Sequence, residues 1–303
     1  MTKRNHAPQP LTFEIVGGLG NQLFAAAAAL VAERQTGRPI AFDVSFFDRV
    51  GPDREYELGA FPRLRTVPTT TTAFSGRQRY VDAACRRLRI TQPGLYREHA
   101  FQPSVPGFDP RWPVGKHVNR VKGYFQSWKY FEDAFDVTRE AFTLEKRPDL
   151  LVEVERTVGE RFIAAHVRRG DYMTQEARTR FGLPSDDYLL QGLAVLRSML
   201  GADMPVVLFT DSPEHVPPPI QEASSLTIGP DAARRPVDDL LTMAAGSGVL
   251  LSNSSFSWWG AFLGQRSDRP VIAPRPWFRG HQVPLNDLLL PSWLALDARY
   301  DGR

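Results

Sequence analysis

Short apolar runs that end in glycine, aspartate or serine alternate with longer stretches of helical character along most of the chain. That alternation predicts parallel α/β structure. Residues 11–16 (LTFEIV) predict a first strand, residues 17–20 a glycine turn, and the alanine-rich stretch 21–35 a helix. Asn21 stands where its side chain could accept from the open amides of the first helical turn. Residues 39–44 (PIAFDV) predict a second strand, so the chain opens as a β-α-β unit. Residues 48–113 are less regular, with threonines at 69–72, many prolines and scattered aromatics, and predict helices and long loops. Residues 121–125 (VKGYF) predict a strand, residue 128 begins a helix reaching 135, and 148–161 read as a charged helix. The second half repeats the pattern: strands at 162–167, 205–209, 249–252 and 269–273, and helices at 186–200, 237–245 and 257–263. Two α/β halves, residues 1–150 and 151–303, account for this with least strain on the pattern.

Composition narrows the picture without naming a function. In 303 residues, 42% hydrophobic and 23% charged, there is enough apolar surface for sizeable cores and no sign of global disorder. Net charge is +3, which suits an anionic ligand but is too weak to argue for nucleic acid. The single cysteine, Cys85, excludes an internal disulfide or a Cys-rich zinc site, and reads as a structural thiol despite Arg86 and Arg87 beside it. No run approaches the roughly 20 apolar residues of a membrane span, and the basic N-terminus lacks an apolar signal region. A cytoplasmic chain is expected, with any membrane contact peripheral.

Four stretches carry candidate chemistry. Residues 17–24 (GGLGNQLF) join strand to helix through a turn where backbone can approach a ligand and helix amides point outward. They match neither a P-loop nor a dinucleotide fingerprint, and a tight turn needing positive φ explains them as well. Residues 166–172 (HVRRGDY) follow an apolar strand and place two arginines where a parallel sheet delivers its loops. Guanidinium forks there suit a diphosphate. Strand alternation turns Arg168 and Arg169 to opposite sides, with His166 on the side of Arg168. The Arg-Gly-Asp tripeptide within it is too short and common to argue for adhesion. In residues 208–213 (LFTDSP), Asp211 could accept from a ribose or a guanine edge, or could simply cap a turn. In residues 251–260 (LSNSSFSWWG), hydroxyls and first-turn amides could receive a phosphate, while Trp258 and Trp259 could touch sugar or fill the core. Asn253 opens a formal glycosylation sequon that a chain without a signal peptide would not use.

In their order and rough spacing these stretches, together with residues 124–128 (YFQSW), resemble the bacterial alpha-1,2-fucosyltransferases of glycosyltransferase family eleven. The resemblance spans residues 17–264 and implies a GT-B-like α/β fold, two Rossmann-like domains facing each other across a cleft. It implies an inverting transfer of L-fucose from GDP-fucose to the 2-hydroxyl of a galactose-terminated glycan, in surface polysaccharide or lipopolysaccharide assembly. Neither cofactor nor metal is implied, and no clear Asp-x-Asp is present, since Asp238 and Asp239 fall in a predicted helix. By matching positions, Arg168 would stabilise the leaving GDP and His166 and Asp211 would hold ribose or guanine. Arg169, Asn253, Ser254, Ser255 and Phe256 would complete the donor side. Gly18, Asn21, Gln22 and Asp43 would face the acceptor, with Asn21 near the reacting centre and residues 48–113 as an acceptor-facing insertion. Where the family usually has a tyrosine or polar residue after the GGLGNQLF run, this chain has Ala25 and Ala26, which implies altered acceptor contacts. Asp171, Asp43 and His166 are the candidate proton acceptors, and Asp171 joins Arg168 and Asn21 as a candidate catalytic group. The same fold with another nucleotide-sugar donor, or a non-catalytic nucleotide- or glycan-binding protein, are the alternatives.

Overall fold

A computed structural model describes residues 9–51, 54–71, 100–103, 107–112, 114–115, 118–279 and 287–300. Residues 72–99 of the irregular stretch 48–113, Cys85 among them, lie outside the described residues.

In the first half, β1 (Leu11–Glu14), α1 (Leu19–Thr36) and β2 (Ile40–Asp43) form the opening β-α-β unit. Short helices α2 (Phe47–Val50) and α3 (Pro62–Arg65) and strands β3 (Thr69–Thr70), β4 (Ala100–Phe101) and β5 (Arg120–Val121) follow. The sheet has five strands in the order β3-β2-β1-β5-β4, all parallel. Part of the threonine run thus supplies an edge strand. The strand expected over 121–125 stops at Val121, because Gly123 and Phe125 take positive φ. The helix expected at 128–135 is instead two single 3-10 turns, with α4 (Phe135–Ala141) after them.

In the second half come α5 (Asp149–Val158), β6 (Ile163–Val167), α6 (Gln175–Arg180), α7 (Asp186–Leu200), β7 (Val206–Thr210) and α8 (Pro218–Glu222). Then follow β8 (Leu226–Ile228), α9 (Pro236–Ala245), β9 (Gly248–Leu250), α10 (Ser255–Leu263), β10 (Val271–Arg275) and β11 (Leu294–Asp297). Six parallel strands run in the order β11-β10-β9-β6-β7-β8. All of β6 is buried, as a strand covered on both faces must be. One face joins the large core that includes Ala164, Trp258 and Trp259; the other, with Ile163, Ala165 and Val167, packs on α7 through Tyr188, Leu189 and Leu193.

The alanines of α1 have a packing reason. The helix is buried on nearly every side from Leu19 to Ala32, because it lies between its own sheet and α10 of the second half. Small side chains let both neighbours approach. Ala25 and Ala26 are therefore core residues and not part of an acceptor face. Phe24 meets Trp258 and Trp259 at ring-centroid distances of 4.7 and 5.0 Å, and Phe131 stacks on Trp259 at 5.5 Å. Both tryptophans are fully buried, which assigns them to the core between the halves and not to sugar contact. Among the described residues, no helix is long and apolar enough to cross a membrane.

Candidate functional site

Two helix starts meet in one cleft. The chain leaves β1 through Gly17, whose φ of +76° suits glycine, and α1 begins at Leu19 behind Gly18. Asn21 is therefore a first-turn residue and not the cap. From the second half, α10 begins at Ser255, with the Ser254 hydroxyl accepting from the Phe256 amide at 3.3 Å. This helix starts earlier than the sequence pattern predicts, which moves Ser255 and Phe256 into its first turn. A Cβ on Gly20 would lie 2.5 Å from the carbonyl carbon of Ser255, so glycine is what lets the two helix ends touch. Their open N–H groups and positive dipole ends share a cavity of about 740 Å³, lined by Gly18, Asn21, Ser254, Ser255 and Phe256.

Arg168 enters this cavity from the end of β6. Its Nε donates to Asp211 Oδ2 at 3.0 Å, and its guanidinium lies 5.6 Å from the centre of the Tyr172 ring. Asp211, at the end of β7, also accepts from the Arg169 amide at 2.9 Å through Oδ1. Both oxygens thus brace the arginine loop, a positioning role that the ribose or guanine expectation had not included. Gly170 belongs to the same brace: a Cβ there would lie 2.4 Å from Asp211 Oδ2. Arg169 turns the other way. It is buried, donating to Pro184 O and Asp186 Oδ1, each at 3.4 Å, and does not line the cavity.

His166 lines the cavity beside Arg168, with its Nδ1 2.6 Å from Ser252 Oγ. Burial, with the Arg168 charge adding to it, pulls the ring down to about 3, so it is neutral at ordinary pH. Where Ser252 donates to Nδ1, the ring proton sits on Nε2 and the histidine is a hydrogen-bond donor.

Several expected ligand contacts serve the fold instead. Asn253 is buried and donates to the carbonyls of Phe181 and Gly182, at 3.1 and 3.0 Å. Gln22 is fully buried; its amide donates to Gly17 O and Glu55 O and accepts from the Glu57 amide, pinning the 55–57 segment to the start of α1. Asp43 is buried in an ion pair with Arg120 at 2.7 Å and caps Ser45, which leaves it poorly placed as a proton acceptor. None of the three lines the cavity. Asp171 lies on the turn Gly170–Met173, and only its backbone is described.

The pattern missed the far end of the cleft, because the strand that leads there, β8, is short and its flank (SSLTIGP) is too polar to read as one. Gly229 and Asp231 follow it, and Asp239 projects from α9. Arg234 ties the three together, donating to Gly229 O, to Asp231 at 3.2 Å and to Asp239 Oδ1. Burial raises the Asp239 carboxyl even against the pull of Arg234. Arg54, Glu55 and Glu57 close this end from the first half, and burial, then the Glu55 charge, raises Glu57. The adjacent pair Asp238-Asp239 was the available signal for this end. The cleft can thus receive a diphosphate at Arg168 and the helix ends. Beyond that it offers a carboxylate–guanidinium pair to a planar polar group.

The profile of glycosyl transferase family 11 matches residues 113–296. The chain is 25% identical over 302 residues to the Escherichia coli O-antigen biosynthesis glycosyltransferase WbnK, covering 92% of this chain and 98% of that one. It is 26% identical over 299 residues to an Escherichia coli alpha-1,2-colitosyltransferase, covering 93% and 97%. In fold it is similar to POFUT1 in complex with GDP-fucose, at TM-score 0.51, 12% identity and coverage of 88% and 98%. It is also similar to an Arabidopsis thaliana FUT1 variant in complex with GDP, at TM-score 0.50, 9% identity and coverage of 93% and 73%. The two facing parallel-sheet halves are GT-B-like, as the sequence motifs implied. The chain belongs to glycosyl transferase family 11.

Proposed function

We propose that this glycosyltransferase moves L-fucose from GDP-fucose to the 2-hydroxyl of a galactose-terminated glycan, with inversion at the anomeric carbon. The observation that carries the reading is the placement of Arg168, braced by Asp211, beside two converging helix N-termini. As the bond from the sugar carbon to the β-phosphate oxygen breaks, negative charge builds on the departing diphosphate. Dipoles and a guanidinium already aimed at that position stabilise it without reorganising, the role a divalent ion fills elsewhere. The reading needs no metal and no cofactor. The second half holds the donor and the first half faces the acceptor. Asp239 and Arg234 suit the base, since a fixed carboxylate accepts from guanine N1–H and N2–H. Neutral His166 adds a donor without placing a second cation beside Arg168.

The relatives named for O-antigen synthesis and colitosyl transfer support a surface polysaccharide acceptor, reached from the cytoplasm with at most peripheral membrane contact. They also favour one alternative, the same site with colitose in place of fucose on the GDP. GDP release measured with each donor and a β-galactoside separates the two. Faster release from GDP-fucose, with an alpha-1,2 product by NMR, is expected. Exclusive use of GDP-colitose would replace the donor, and binding without turnover of either would make the chain a non-catalytic binder.

A further inference from the structure

The loop after β5 holds a bulky residue in an uncommon conformation. Phe125 has φ +50°, a region that glycine and asparagine visit readily and phenylalanine rarely. It is buried to 2% exposure, with the rings of Phe13, Trp112 and Tyr130 at 6.1, 5.7 and 5.1 Å. Its carbonyl accepts from the Ser127 amide at 2.7 Å, closing a tight turn over Gln126. Strain of this kind persists where the surrounding packing over-determines it, and it concentrates at ligand sites.

The turn presents both neighbours of Phe125. Tyr124 is 56% exposed, and no other aromatic side chain among the described residues is as open. Gln126 Nε2 donates to Asn21 Oδ1 at 2.8 Å, and Asn21 lines the cleft. With Oδ1 accepting from Gln126, Asn21 turns Nδ2 outward as a donor, and among the described residues nothing accepts from it. The loop leaves the carboxyl end of β5, the edge of a parallel sheet where ligands bind.

The geometry points to residues 124–126, with Asn21, as the acceptor-sugar subsite: Tyr124 lies under the apolar face of a pyranose, and Asn21 Nδ2, oriented by Gln126, donates to one of its hydroxyls. This rests on the glycosyl-transfer reading above and names the residues that meet the acceptor. A pyranose has a C–H face that suits a flat exposed ring, and polar edges that suit a held carboxamide. Gln22 and Asp43 are bound into the fold, and Trp258 and Trp259 are buried, so none of them competes for the role. Gln126 is a positioning residue, since it acts through Asn21.

Two measurements on wild type, Tyr124→Ala, Tyr124→Phe and Gln126→Leu test this. Calorimetric titration of methyl β-galactoside onto the GDP-loaded chain reads the contact without turnover, and steady-state kinetics with GDP-fucose read it during transfer. Tyr124→Ala should weaken galactoside binding and raise acceptor KM about tenfold, with donor KM and melting temperature unchanged. Tyr124→Phe should stay within about twofold of wild type, because the ring is kept. Gln126→Leu should lower kcat/KM for the acceptor while GDP affinity holds. Unchanged galactoside binding in Tyr124→Ala, or donor and acceptor KM rising together, would overturn the subsite. A wild-type chain that binds the galactoside through Tyr124 yet never transfers would count instead against the proposed reaction.

Discussion

His166 shows how one side chain can be claimed by both the fold and the site. It lies in the apolar run that ends β6, it is buried, and its ring is held neutral next to a permanent cation. Its folded pKa of about 3 lies below the ordinary value of 6.5, so between those values the unfolded chain binds the extra proton. Stability is therefore whole above pH about 6.5 and falls as pH drops, by about 1.4 kcal/mol per unit until the folded value is reached. Urea unfolding of wild type and His166→Asn at pH 6.5 and pH 5 isolates this effect from other titrating groups. The wild type should lose about 2 kcal/mol more than the variant across that interval. Equal losses would mean that the ring is not kept neutral by the fold. At this scale the sequence showed which residue types cluster, but not which atoms are already engaged. The carboxamides of Asn21 and Gln22 are neighbours in sequence; one faces the cleft and the other is spent on Gly17, Glu55 and Glu57. Arg168 and Arg169 part in the same way, and there strand alternation did foretell the split.

Among the elements, α7 was readable to the residue, because Ser185 caps it through the Tyr188 amide and Gly201 ends it. The limits of α10 were less visible, since its first turn (Ser255, Phe256) looks like loop until Ser254 is seen to cap it. The contact between α1 and α10 could not be read at all, for it joins residues far apart in the chain. That contact builds the proposed diphosphate site, and it depends on Gly20. A methyl group there would press on the Ser255–Phe256 backbone, which cannot yield as a flexible side chain would. Gly20→Ala should push the two helix ends apart, weaken GDP binding at least tenfold and lower stability by about 1–3 kcal/mol. Calorimetric GDP titration and thermal unfolding check this. Unaltered GDP affinity would show that the helix ends do not hold the diphosphate together.

Across the whole molecule, a single hydrophobic core runs through both halves. Phe24 and Phe131 from one side and Trp258, Trp259 and Phe262 from the other form one aromatic cluster in a core that runs through both. The floor of the cleft is therefore part of this core, and the proposed donor would meet a preformed pocket. The parallel-sheet class and the two halves were legible because strand and helix periods alternate throughout. The far end of the cleft was not, because β8 is short and polar and Arg54 and Glu57 come from the irregular stretch. The central claim is that Arg168, held by Asp211 over those helix ends, stabilises the departing diphosphate. The most direct test is single-turnover release of GDP from GDP-fucose by Arg168→Ala, with thermal unfolding run beside it. The rate should fall about 10²- to 10³-fold while the folding transition is kept; a rate near that of wild type would contradict the account.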